Sequence, residues 1–255
     1  MVLTDTHTHL YAEEFDTDRN EMMQRAMEKD VTRFFVPSID STYTQKMKSL
    51  KADYPNNVHL MMGLHPTHVK ENVEEELTLV KEWLDKRTFY AVGEIGMDLY
   101  WDRTFVKEQQ YAFQTQIQWA KEKQIPINIH CREAFEEVFE ILEKEKSDDL
   151  FGIFHCFTGT LEQAKKAISY GMKLGIGGVV TFKNGKIDQF LKEIPLSEIV
   201  LETDAPYLAP TPFRGKRNES SYLLNIAQKL ADIYGVSVSE IAKITTENSK
   251  AVFGI

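Results

Sequence analysis

The chain has 255 residues, of which 42% are hydrophobic and 27% charged, a composition that excludes a disordered or low-complexity protein. Its formal net charge of −9 argues against a protein that grips duplex DNA over a broad basic face, although a small basic site on an acidic body is compatible with it. The N-terminal segment lacks the pattern of a signal peptide, no apolar run is long enough for a membrane helix, and two cysteines make no disulfide framework, so we expect a cytoplasmic protein with no membrane partner.

Short apolar runs recur along the chain and predict buried strands. They are rich in Val, Ile and Phe, as strands buried on both faces should be. The clearest are FFVPSI at 34–39 and FYAVGEI at 89–95. The predicted strands lie at 2–6, 32–37, 58–63, 89–94, 125–130, 151–155, 172–177 and 198–203.

Amphipathic segments separate these runs and predict helices. In the strongest of them, Phe113 and Ile117 fall near one face, and Pro126 prevents the helix from continuing. Ser237 is a plausible N-cap for the final helix, with Glu240 at the spacing of a capping box. The predicted helices lie at 16–29, 42–52, 73–85, 105–123, 133–145, 161–169, 185–193, 219–234 and 237–252.

Alternation of strands and helices indicates parallel strands joined by helical crossovers. Eight such units, each of about 32 residues, match the size of a closed barrel. We therefore predict an α/β protein with one domain, a single (β/α)8 TIM barrel over residues 1–255. An open doubly wound sheet is the structural alternative. Its nucleotide-binding form is disfavoured because no G-x-G-x-x-G turn follows the first strand.

Histidines and carboxylates stand at or just past the ends of several predicted strands. In a barrel, the carboxyl ends of all strands meet on one face, so distant residues can share a site. His7 and His9 form an H-x-H pair, a spacing that places both imidazoles on one face of a strand. An isolated pair of this kind is more often two unrelated polar residues in a turn. The full set of candidate metal ligands is His7, His9, Glu94, His130, His155 and Asp204.

The carboxylates near the strand ends each need a partner that balances their charge. Glu94 ends an apolar run, where a charged group is costly unless it is paired or coordinated, and its two oxygens could bridge two cations. A salt bridge to a barrel arginine is the alternative. Near Asp204, Glu202 also needs a partner, either Arg132 or a structural contact. Six ligands exceed an ordinary four-coordinate zinc site, so we predict two divalent ions, with Mg, Mn or Zn as candidates.

Residues suited to bind substrate lie near the same strand ends. His65 could bind phosphate or protonate a leaving group, and a structural hydrogen bond is an equally good interpretation. The loop after Asp204 is basic, and arginine suits phosphate, although such a loop can also be simply solvated. The predicted substrate-binding residues are His65, Arg132, Arg214, Lys216 and Arg217.

Six motifs together resemble those of the TatD family of metal-dependent deoxyribonucleases, within the amidohydrolase-like barrel group. They span almost the whole chain: DTHTHL at 5–10, GLHP at 63–66, VGEIGMD at 92–98, IHCREA at 129–134, HCFTG at 155–159 and LETDAPYLAP at 201–210. The resemblance implies that one ion is held by His7, His9, Glu94 and Asp204. It implies that the other is held by Glu94, His130 and His155.

The resemblance also implies an activity: hydrolysis of phosphodiester bonds in DNA by a water activated at two metals, often from a 3′ end. Glu94, Asp204 and His65 are then the predicted catalytic residues, single-stranded DNA or 3′ ends the substrate, and no obligate protein partner is expected. A hydrolase of small-molecule or aminoacyl esters or amides is the alternative function, and a non-catalytic interaction protein a third. Ser220 stands where the family often has proline, which puts the rigidity of the basic loop in question.

Overall fold

Eight parallel strands alternate with helices in the computed structural model, which describes all 255 residues. The strands are β1 Leu3–Asp5, β2 Val31–Val36, β3 Val58–Leu60, β4 Val92–Asp98, β5 Ile127–Arg132, β6 Gly152–Phe154, β7 Met172–Ile176 and β8 Ile199–Leu201. The helices are α1 Arg19–Met27, α2 Thr44–Asp53, α3 Val73–Lys86, α4 Val106–Lys123, α5 Phe135–Glu145, α6 Leu161–Ser169, α7 Leu223–Tyr234 and α8 Val238–Phe253.

The strands form a closed ring. β1–β3 pair in parallel in chain order, and so do β4–β8. A parallel bridge between Met62 and Val92 joins the two groups on one side. On the other side, the backbone N–H of Thr6 donates to the carbonyl of Leu201 at 2.9 Å and joins β8 to β1. The predicted (β/α)8 barrel is confirmed.

Local sequence accounts for the best-predicted helices. Helix α4 ends at Lys123 and is followed by Gln124 in the left-handed region, at φ 54°, two residues before Pro126. Helix α8 begins after Ser237, whose hydroxyl accepts a hydrogen bond from the backbone N–H of Glu240. The N-cap predicted at Ser237 is therefore confirmed.

Two expectations about local structure were wrong. The segment 185–193 forms two 3₁₀ turns, Ile187–Gln189 and Leu191–Glu193, because Lys186 adopts φ 57° at its start and Ile194 is extended before a proline. Glu94 does not end its strand, since β4 continues four residues further to Asp98 and pairs there with β5.

Apolar packing fills the barrel and covers it. A continuous cluster of buried hydrophobic side chains lies between strands and helices, and a smaller one includes Phe35, Ile153, Val200 and Phe253. The ring of Phe253, at the end of α8, stacks on that of Phe35 with centroids 3.6 Å apart. Helix α8 thus closes the end opposite the strand carboxyl ends, and the site described below lies at the other end. No helix combines the length and apolar character needed to cross a membrane.

Candidate metal centre

All six predicted ligands, together with His65, converge at the carboxyl ends of the strands. His7 and His9 follow β1, His65 follows β3, Glu94 lies in β4, His130 lies in β5, His155 follows β6 and Asp204 follows β8. Every one of these side chains is largely removed from solvent; even the most accessible, His130, is only 17% exposed. The barrel therefore gathers seven potential donor groups into one small volume.

The first donor group contains two imidazoles and two carboxylates. The Nε2 atoms of His7 and His9 lie 3.2 Å apart, and Oε2 of Glu94 lies 3.2 Å and 3.6 Å from them. Oδ1 of Asp204 lies 3.8 Å from the nitrogen of His7 and 3.6 Å from that of His9. The nitrogens of His7 and His9 are thus each close to both carboxylates.

The second donor group surrounds the other oxygen of Glu94. Its Oε1 lies 2.8 Å from Nδ1 of His130, 3.0 Å from Nε2 of His155 and 3.3 Å from Nε2 of His65. The nitrogens of His65 and His130 are themselves 3.3 Å apart. His65 therefore lies inside the cluster, among the nitrogen donors.

Each imidazole is held from its far side by a hydrogen bond. Nδ1 of His7 contacts Oδ1 of Asn128 at 2.7 Å, and Nε2 of His130 contacts Oδ2 of Asp98 at 2.9 Å. The remaining far-side contacts are His9 to the hydroxyl of Tyr11, His65 to the hydroxyl of Thr67 and His155 to Oε1 of Glu202. Histidines that ligate metals are almost always oriented in this way.

The donor geometry fits divalent cations. Ligands bound to a tetrahedral ion at about 2.0–2.2 Å lie about 3.3–3.6 Å from one another. The separations of 3.2–3.8 Å in the first group span that range. Nitrogen and carboxylate oxygen together suit Zn, Mn or Fe more than Mg. The residues present therefore match the cofactor that the sequence predicts.

The charge of the site is also suited to cations. Burial raises the pKa of Glu94, but the imidazoles of His65 and His155 outweigh it and hold the pKa well below its usual value. Burial likewise opposes ionisation of Asp204, yet the hydrogen bond from His9 and the nearby histidines leave its pKa lowered. Both carboxylates are therefore ionised at neutral pH.

Four residues that hold the cluster had no assigned role in the sequence analysis: Tyr11, Thr67, Asp98 and Asn128. Asp98 and Asn128 lie on β4 and β5, and Tyr11 follows the H-x-H segment. A signal for Asp98 was present, since it closes the motif VGEIGMD, but its partner His130 lies on another strand.

Glu202 finds its partner within the fold. Its Oε1 accepts the backbone N–H of Cys156 at 2.6 Å and contacts Nδ1 of His155. A Cβ on Gly175 would lie 2.2 Å from Oε2 of Glu202, so only glycine leaves room for this carboxylate. Arg132, the other partner considered, packs instead on the ring of Tyr100.

Replacing Asp98 with asparagine tests this support. The change removes the charge that orients His130, and we expect metal affinity to fall about 10- to 100-fold, as is usual for partners of this kind. Calorimetric titration with Mn²⁺ and Zn²⁺ measures the effect. Asp102→Asn is the matched control, because Asp102 lies just after the end of β4 and contacts Lys70 and Thr104 instead of His130. Equal affinities in the two variants would contradict a supporting role for Asp98.

The predicted basic residues separate into two kinds. Arg217 donates to both carboxylate oxygens of Asp18, at 2.6 Å and 2.7 Å, and hydrogen bonds to Arg217 and Arg25 lower the pKa of Asp18 to about 2. Because its guanidinium is already paired, we no longer expect Arg217 to bind substrate. Arg214 and Lys216 are exposed and belong to no ion pair.

Hydrogen bonds fix the basic loop around Ser220, the position at which the family often has proline. The side chain of Asn218 donates to the carbonyls of Thr203 and Tyr207, at 2.7 Å and 2.6 Å. The hydroxyl of Ser220 donates to Oδ2 of Asp5 at 2.7 Å, and Ser220 is fully buried. Serine at 220 therefore anchors the loop to the end of β1 instead of loosening it.

Comparison with known proteins agrees with the fold and with a metal-dependent hydrolase. The profile of a family described as TatD related DNase matches residues 4–254. The chain is 41% identical over 256 residues to the uncharacterized metal-dependent hydrolase YabD of Bacillus subtilis, with 100% of both chains covered. It is 30% identical to the 3′-5′ ssDNA/RNA exonuclease TatD of Pantoea ananatis, over 98% of this chain and 99% of that one. The crystal structure of YJJV, a TatD homolog from Escherichia coli K12, superposes with a TM-score of 0.93 at 27% identity, over 99% of this chain and 98% of the other. This chain therefore belongs to the TatD-related DNase family and is a metal-dependent hydrolase.

Proposed function

We propose that this protein hydrolyses phosphodiester bonds of single-stranded DNA from 3′ ends, at two divalent ions bridged by Glu94. The supporting observation is that the two carboxylate oxygens of Glu94 face different donor groups. Its Oε2 faces the first group and its Oε1 faces the second. When bound at such a site, paired ions polarise phosphoryl oxygens and provide a nucleophilic water at neutral pH.

The donor groups then have distinct tasks. His7, His9 and Asp204 would hold one ion together with Oε2 of Glu94, and His130 and His155 would hold the other together with Oε1. The side chain of Asp204 is 13% exposed against 3% for that of Glu94, so it reaches the open side of the site. We assign Asp204 to orient the attacking water and accept its proton.

His65 is better suited to the second ion than to phosphate. Burial lowers the pKa of His65 to about 4, so its imidazole is neutral at neutral pH. A neutral nitrogen donor binds a cation well and attracts a phosphate weakly. We propose it as an additional ligand beside His130 and His155.

The positively charged side chains around the opening of the metal centre favour a polyanionic substrate. Arg132 ends β5, and Arg214 and Lys216 lie in the loop after β8, so all three flank the strand carboxyl ends. None is neutralised by a carboxylate within the protein. A small neutral ester or lactone would gain nothing from them.

End-labelled oligonucleotides test the proposal. We expect stepwise shortening of single-stranded DNA from its 3′ end with added Mg²⁺, Mn²⁺ or Zn²⁺, and slower cleavage of duplex. The double variant Arg214→Ala/Lys216→Ala should bind more weakly. The slope of log K against log salt concentration should become shallower by about 1.4 units, about 0.7 for each lost contact with a single-strand phosphate. The control pair, Lys29→Ala/Lys192→Ala, changes exposed lysines away from the site. Hydrolysis of esters or lactones without any cleavage of nucleic acid would refute the proposal in favour of a small-molecule hydrolase.

A further inference from the structure

A second exposed feature adjoins the metal centre, and its two aromatic side chains have no part in the roles assigned so far. Tyr100 and Trp101 follow β4, and they are 49% and 68% exposed. Their rings meet edge to face, with centroids 4.9 Å apart at 85°. The guanidinium of Arg132 lies 3.8 Å from the centroid of the tyrosine ring and 5.2 Å from that of the tryptophan ring. We call these three residues the aromatic platform.

One carboxylate fixes both the platform and the metal centre. Oδ1 of Asp98 accepts the backbone N–H groups of Tyr100 and Trp101, at 3.0 Å and 3.2 Å. Oδ2 of the same group accepts from His130. On β5, Arg132 comes two residues after His130 and lies beside Asp98 in the strand register. The platform is therefore held at a set position next to the second donor group.

The chemistry of the platform matches an unpaired nucleobase. Aromatic rings and planar guanidinium groups are the surfaces on which proteins stack the bases of single strands, whatever the sequence. The positive charge of Arg132 is not paired with a carboxylate, so it can also attract the adjoining phosphate. In a duplex, neighbouring base pairs cover both faces of each base, and such a contact is lost.

We propose that Tyr100, Trp101 and Arg132 form a stacking site for an unpaired base beside the scissile phosphodiester, and that this contact selects single strands. The inference rests on the proposed function, since it names the part of the site that recognises the substrate. Exposed aromatic rings also occur where proteins bind other proteins. A surface of that kind would bind a DNA strand with bases and an abasic strand equally.

Binding without metal tests the platform apart from catalysis. Labelled dT12 and an abasic strand of equal length are titrated with full-length protein in EDTA, and anisotropy is recorded. We expect the wild type to bind dT12 about tenfold more tightly than the abasic strand, and the variant Tyr100→Ala/Trp101→Ala to bind both alike. Tyr111→Ala is the control, because Tyr111 is 46% exposed on α4 and its hydroxyl contacts Glu74 of α3. Arg132→Lys keeps the charge without the planar group, and it should lose part of the preference.

The outcomes separate the two proposals. Equal binding of the two strands by the wild type, or an unchanged preference in the double variant, overturns the platform even if DNA is hydrolysed. A base-dependent preference without hydrolysis under any metal supports the platform and refutes the proposed nuclease. If both hold, the double variant should raise KM for single-stranded DNA about tenfold and change KM for the abasic strand much less.

Discussion

Replacing Glu94 with glutamine is expected to lower kcat/KM for metal-dependent hydrolysis by at least about 10³-fold. The two oxygens of Glu94 face different donor groups, so the amide leaves one group with a nitrogen where it had an anionic oxygen. Losing about 4 kcal/mol of the stabilisation that paired ions give the transition state corresponds to this factor. The same change should reduce bound metal, measured by elemental analysis, from about two ions per chain to one or none.

Two comparisons make the Glu94 result interpretable. Glu71→Gln changes an exposed glutamate outside the site, and it should leave both activity and metal content unaltered. Thermal unfolding in EDTA shows whether the Glu94 variant folds, since glutamine keeps the shape of the side chain without its buried charge. A folded variant with full metal content and full activity would contradict a bridging role.

Replacing Asp204 with asparagine should lower kcat by about 10²–10⁴-fold, the usual contribution of a positioned general base. The carboxylate reaches the open side of the site and is ionised, whereas an amide cannot accept a proton from water. We expect the variant to retain metal at the second donor group, because Oε1 of Glu94 and the nitrogens of His130 and His155 around it are unchanged. Steady-state kinetics with dT12 and metal analysis on the same preparation measure both effects.

The backbone at 204 provides the control for this variant. Asp204 adopts φ 57°, in the left-handed region that asparagine tolerates better than most other residues. Asp204→Asn should therefore unfold near the temperature of the wild type. Asp204→Ala should unfold at a lower temperature, because alanine is strained there. An asparagine variant with unchanged kcat would show that another group accepts the proton.

Local patterns predicted most of the barrel. Apolar runs placed every strand, and the stripe on 105–123 placed α4 within one residue of its observed start. The segment 185–193 was misjudged because helical propensity carries no information about the left-handed residue at its start. The extent of β4 was also missed, since its last residues are held by pairing with β5, a contact between strands.

The residues that orient the imidazoles were harder to predict than the candidate metal ligands themselves. Asp98 and Asn128 act on imidazoles from neighbouring strands, so no spacing along the chain reveals them. The positive charge of Arg217 predicted a contact with substrate. Only the packing of its loop against the start of α1 shows that Asp18 neutralises this charge.

The sequence by itself determined the order of strands and helices, the identity of the donor groups and their place near the ends of strands, because these follow from local periodicity and residue chemistry. The tertiary structure alone decided which donor group each oxygen of Glu94 faces and that His65 lies among the nitrogen donors. It also decided which basic side chains have no ion-pair partner and that Tyr100 and Trp101 are exposed. These properties depend on distances between groups far apart in the chain, and closure of the eight-stranded ring sets those distances.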